Sequence, residues 1–146
     1  MNQKQVIEAL NENLRAELSA VEVYGAHAGA IVEDDIAAGV RAIMGVEQRH
    51  ARDLAARIEE LGGTAARPEG PEAIAGRTAG AATAQASTAE MLRLELAEEQ
   101  QAIKDYAAEI AEIMDDEQTL DMLQEHLNDE IQHSRWMKAQ LARLRK

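Results

Sequence analysis

Cysteine is missing from the 146 residues, which excludes disulfides, thiolate metal sites and redox thiols. Phenylalanine is missing too, and one Trp and two Tyr are the only aromatics, so any core must be built from Leu, Ile, Val, Ala and Met. The only two prolines, Pro68 and Pro71, sit close together and leave the rest of the chain free to be helical. No β-branched run is long enough to suggest a sheet, and no apolar run approaches the roughly 20 residues that a membrane span needs. The opening Met1-Asn2-Gln3-Lys4-Gln5 carries no apolar targeting segment, so the chain is expected to be cytoplasmic and free of membrane partners. Positive charge is scarce: 15 Lys and Arg face 27 Asp and Glu, a formal net charge of −12. Without clustered cations, nucleic acid is not an expected partner.

What remains is rich in Ala, Glu, Leu, Arg and Gln, the strongest helix formers. Apolar residues recur in steps of three and four, which predicts helices over about residues 3–32, 35–61, 88–113 and 117–145. The seams run through Leu10, Leu14, Val21 and Ile31; Val40, Ile43, Leu54 and Ile58; Leu92, Ile103 and Ile110; and Leu123, Leu127, Met137 and Leu141. Gly62-Gly63 reads as a helix stop. About residues 62–87 hold both prolines and much Gly, Ala, Thr and Ser, a connection of unusual length with room for a short helix of its own. Two short connections and one long one describe an all-α four-helix bundle with a single crossover between its second and third helices. Residues 1–146 are expected to form a single domain.

Six polar residues interrupt these seams: Glu17, Glu47, His50, Glu99, Glu130 and His133. They fall in a repeat. Leu14-x-x-Glu17-x-x-Ala20-x-x-x-Tyr24 returns as Leu96-x-x-Glu99-x-x-Ala102-x-x-x-Tyr106, and Glu47-x-x-His50 returns as Glu130-x-x-His133. The offsets, 82 and 83 residues, are nearly equal, so a two-helix unit occurs twice in register. Residues three apart share a helix face, so each Glu-x-x-His can aim a carboxylate and an imidazole at one target. All six lie near the middle of their helices, where a bundle brings them to one height. Four buried carboxylates without a counter-charge would be strongly unfavourable, and no Lys or Arg lies on the seams. Two divalent ions balance them, and mixed oxygen and nitrogen ligation suits iron or manganese.

The chain resembles the ferritin superfamily, bacterioferritins most closely, and is similar to rubrerythrin-like proteins that lack the rubredoxin domain. The resemblance is carried by Glu17-Leu18 with Tyr24 and His27, by Glu47-x-x-His50-Ala51, by Met91-Leu92-Arg93 leading to Glu99, and by Asp129-Glu130-x-x-His133-x-x-Trp136. It implies a ferritin-like bundle whose centre holds two iron ions, with manganese or zinc as alternatives. Glu47 and Glu130 would bridge the ions, Glu17 and Glu99 would be terminal ligands, and His50 and His133 would bind one ion each. Tyr24 and Tyr106 would hydrogen-bond to ligand carboxylates. Gln48 stands where bacterioferritins place a haem-ligating Met, so no haem is expected. The chain stops at Lys146 without the fifth helix of bacterioferritin cages, so a closed storage shell is not expected.

The activity implied is reaction of Fe(II) with dioxygen or hydrogen peroxide, as in a ferroxidase or a peroxide-detoxifying oxidase. The alternatives are a hydroxylase with a small organic substrate, for which Ala20, Gly25, Gly45 and Ala102 would leave space, and a di-metal-binding protein without turnover. A homodimer and an external electron donor are further expectations. His27 and His126 read as ordinary partly buried histidines, Trp136 as packing, and Met44, Met114, Met122 and Met137 as core filler.

Overall fold

The computed structural model describes all residues from Met1 to Lys146 and contains five helices and no strand. They are α1 (Gln3–Ala30), α2 (Asp34–Glu60), α3 (Pro71–Thr83), α4 (Thr88–Glu112) and α5 (Glu117–Leu144). No helix is long and apolar enough to cross a membrane.

Local chemistry sets the ends. Asn2 caps α1 in a reciprocal box: its Oδ1 accepts from Gln5 N at 2.9 Å, and Gln5 Oε1 accepts from Asn2 N at 2.8 Å. Gly62, at φ 89°, closes α2, where the Gly63 amide bonds back to Ile58 O at 2.9 Å. Ser87 caps α4 and Asp116 caps α5. Asp116 also accepts from Arg57 at 2.8 Å, which ties the start of α5 to the end of α2. Glu33 caps α2 without a side-chain bond; Asp34 and Asp35 instead lie in its first turn, where they favour the positive end of the helix dipole.

The expected crossover contains a helix. Pro71 begins α3, and the helix lies so close on α1 that a Cβ on Gly76 would come 2.6 Å from Ser19 O and one on Gly80 2.9 Å from Val23 Cα. Glycine at these two positions is what lets the backbones meet. Ion pairs of Arg77 with Glu22 and of Arg15 with Glu72 flank the contact.

The apolar core falls into two clusters. One gathers Ile36, Val40, Ile43, Met91, Leu92 and Met137; the other gathers Leu10, Leu14, Leu54, Ile58 and Leu123. The polar centre lies between them. Met44 and Met122 pack against the clusters, whereas Met114 is 69% exposed at the α4–α5 turn and fills no core.

Two buried carboxyls, Glu95 and Glu109, lie outside the four central ones. Glu109 accepts a short hydrogen bond from Asn13 Nδ2. Burial pushes its pKa from the ordinary 4.5 up to about 7; the Asn13 bond opposes this, while Asp105, Glu12 and Glu112 add to it. A carboxyl raised in the folded state gives stability that is full below pH 4.5 and is lost as pH rises through about 7. Glu109→Gln is therefore expected to raise the melting temperature by a few degrees at about pH 8 and to change it little at about pH 5. Thermal scans at the two pH values check this; an equal shift at both would mean that the proton is not involved.

Candidate metal centre

The four long helices each bring one carboxylate to the middle of the bundle, and α2 and α5 add an imidazole one turn further on. Glu17, Glu47, His50, Glu99, Glu130 and His133 are all buried, none more than 8% exposed. Their ligand-type atoms form two groups, Glu17–Glu47–His50–Glu130 and Glu47–Glu99–Glu130–His133, each within 4.8 Å across. Every residue singled out in the sequence is thus in one place, and Glu47 and Glu130 belong to both groups. Glu47 turns Oε2 toward His50 Nδ1 at 3.9 Å and Oε1 toward His133 Nδ1 at 3.1 Å. Glu130 Oε1 lies 3.4 Å from the first imidazole and 3.5 Å from the second.

The two tyrosines support the outer carboxylates crosswise. Tyr24 on α1 donates to Glu99 Oε1 on α4 at 3.0 Å, and Tyr106 on α4 donates to Glu17 Oε1 on α1 at 3.0 Å. Burial, followed by the surrounding carboxylates, raises both phenol pKa values well above 10.0, so both groups remain donors.

The charge balance is unusual. Burial, then the Glu17 carboxylate, raises the Glu47 pKa well above its ordinary value. Burial raises Glu99 to about 8 although neighbouring His133, 3.4 Å away, opposes it. For Glu130 burial acts upward, but His133, Glu47 and Glu99 outweigh it and the pKa falls. Burial likewise works against a charged His133, yet Glu130 and Glu99 lift it to about 9. Burial and crowding thus push Glu47 and Glu99 toward their neutral forms, while Glu130 and His133 are held toward their charged ones.

Hydrogen bonding points the same way. Eight buried side-chain polar atoms have no partner, and six are Glu17 Oε2, Glu47 Oε1, His50 Nδ1, Glu99 Oε2, Glu130 Oε1 and His133 Nδ1. Buried polar atoms are nearly always satisfied, so six unpaired oxygen and nitrogen atoms gathered in one place are a set that could hold a cation. No Lys or Arg pairs with any of the four carboxylates. The donor set fits two divalent ions.

Other residues around the centre are placed differently from the sequence expectation. His27 and His126 are fully rather than partly buried. His27 bridges α1, α4 and the end of α3, with Nδ1 2.6 Å from Glu95 Oε2 and Nε2 2.7 Å from Thr83 Oγ1. His126 stacks on His50 with centroids 3.9 Å apart, and its Nε2 lies 3.2 Å from Asp53 Oδ2. Asp129, quoted above only as part of a motif, has Oδ2 2.8 Å from His50 Nε2. Ala20 and Ala102 line a narrow cavity of about 40 Å³ that opens between α1 and α4 onto the four carboxylates. Gly25 and Gly45 are exposed and do not line it.

Comparison with known proteins agrees with this geometry. The chain superposes on a dodecameric thioferritin from Bacteroides fragilis, a bacterioferritin-related protein, with a TM-score of 0.82 at 20% identity over 99% of this chain and 90% of that one. A ferritin-like, diiron-carboxylate protein from Bacillus anthracis str. Ames gives a TM-score of 0.75 at 26% identity, covering 95% and 96%. The Rhodobacter capsulatus bacterioferritin gives 0.69 at 26%, covering 95% and 84%. A search of curated proteins finds no match. Matched against protein families, residues 7–146 fit the family described as Ferritin-like domain, and with four long helices around a carboxylate and imidazole centre the chain belongs to that family.

Proposed function

We propose that this protein binds two iron ions at the bundle centre and oxidises Fe(II) with dioxygen or hydrogen peroxide. The observation that carries the reading is the gathering of the six unpaired oxygen and nitrogen atoms. Glu47 and Glu130, each shared between the two groups, would be held in common by the ions; Glu17 and His50 would complete one position, Glu99 and His133 the other. Each Fe(II) gives up one electron. With dioxygen, two Fe(II) and two protons yield hydrogen peroxide; with hydrogen peroxide, two Fe(II) and two protons yield two waters. The tyrosines fix the orientation of the outer carboxylates, and apolar clusters pack within the same bundle.

The cavity size favours a small oxidant over an organic substrate. About 40 Å³ admits dioxygen or hydrogen peroxide, whereas sites for organic ligands run to roughly 300–1,000 Å³. Pairing of two copies through the α1–α2 face belongs to the same reading, since Leu14, Leu18, Val21, Ala51 and Ala55 line an apolar groove there.

The test is metal analysis of the purified protein, followed by anaerobic Fe(II) titration and measured oxygen uptake. About two irons per chain, with oxygen consumed in proportion to Fe(II), is the expected result. Retained zinc or manganese without oxygen uptake would make the protein a di-metal binder, and an oxygenated organic product would make it a hydroxylase.

A further inference from the structure

The internal repeat relates the two halves of the centre, and on one side it is broken. The outer carboxylates are supported alike, each by one tyrosine at 3.0 Å. The imidazoles are not. Behind His50 stands a polar wall: Asp129 Oδ2 is 2.8 Å from its Nε2, the His126 ring is stacked on its face, and Asp53 in turn meets His126. Arg49 donates to the same Asp129 oxygen at 3.1 Å and holds it in place from the solvent side. Moved by the 83-residue repeat, Asp129, His126 and Asp53 correspond to Val46, Ile43 and Trp136. Those three side chains line the groove beside His133, and no hydrogen bond reaches its Nε2.

We propose that the two metal positions are unequal: the position of Glu17 and His50 fills first and tightly, and that of Glu99 and His133 is the weaker, exchangeable one. This rests on the two-ion reading above. A carboxylate behind an imidazole fixes the tautomer that turns the Nδ1 lone pair inward, sets the ring orientation and strengthens the donor. Losing such a partner typically costs about 10- to 100-fold in metal affinity. His50 has this support. His133 has no such carboxylate and edges an open groove lined by Ile43, Val46, Gln132 and Trp136, so ordering the ring is charged to metal binding at that position alone.

Anaerobic titration of the metal-free protein with Co(II), followed by calorimetry and by the visible absorption of bound cobalt, reads both steps without turnover. Two steps are expected, differing by about 10- to 100-fold in dissociation constant. Glu17→Gln should remove the tighter step and Glu99→Gln the weaker. Asp129→Val, which copies its repeat mate, should weaken the tighter step by a similar factor; Val46→Asp should tighten the weaker one. Two equal sites in the unaltered protein would overturn the inequality, and a tighter step lost in Glu99→Gln would overturn the proposed order of the two positions; either leaves the two-ion centre standing. Should Asp129→Val not fold, the unaltered protein and the Glu17 and Glu99 variants decide alone. Failure of the unaltered protein to bind any cobalt would instead remove the proposed function itself.

Discussion

Glu47→Gln is expected to abolish Fe(II)-dependent oxygen uptake and to leave the metal-free protein at least as stable as before. Glu47 is 1% exposed, and burial followed by the Glu17 carboxylate raises its pKa, which favours the neutral carboxyl. Glutamine has nearly the same shape and is also neutral, so the substitution should not open a cavity or strand a charge. What it removes is a carboxylate that turns one oxygen toward each imidazole. Binding to the folded state alone stabilises by RT ln(1 + [L]/Kd), about 4 kcal/mol at a thousandfold excess over Kd. For a chain of this size that is roughly 10 °C in melting temperature, and the variant should lose most of it. Glu130→Gln should behave in the same way. Glu22→Gln, at a half-buried position paired with Arg77, is the control and should keep full uptake. The decisive measurement is oxygen uptake together with paired melting curves, with and without iron. Normal uptake in Glu47→Gln would show that the bridging assignment is wrong.

The four long helices and the six central residues were legible because one signal served both. A seam of period 3.6 defines each helix, and a carboxylate on that seam is conspicuous because nothing apolar explains it. The crossover helix was hard to see for the converse reason. Its Ala and Gly carry little amphipathic contrast, and it is held by the close approach of Gly76 and Gly80 to α1, a tertiary contact that local pattern does not encode. His27 and His126 were underestimated because their partners Glu95 and Asp53 lie on other helices. A signal for one of them did exist. With the 82-residue offset, His27 and Glu95 correspond to Glu109 and Asn13, and both pairs are hydrogen-bonded in the fold. The repeat thus extends one turn beyond each Tyr and one turn before each outer Glu, so following it outward would have found all four residues.

Chelation of the metal from the loaded protein is expected to lower the melting temperature more at about pH 9 than at about pH 6. In the metal-free protein burial raises Glu99 from 4.5 to about 8, against the opposing effect of His133. A raised carboxyl contributes stability that is full below 4.5 and is lost as pH rises through about 8. For His133 burial favours the neutral ring, but Glu130 and Glu99 carry the pKa from 6.5 to about 9. Its contribution is full below 6.5 and is lost as pH rises through about 9. Both groups therefore weaken the metal-free fold across the same alkaline window. The metal-bound fold escapes this loss, because a cation takes carboxylates and neutral imidazoles, the forms these groups already have in the unfolded chain above about 6.5. The two stability curves should separate as pH rises, by about 10 °C at the alkaline end if the ions bind at a thousandfold excess over Kd. Melting scans with and without chelator at three pH values measure the gap directly. A gap that stays constant, or closes toward alkaline pH, would mean that these protons and the metal do not compete for the same oxygen and nitrogen atoms.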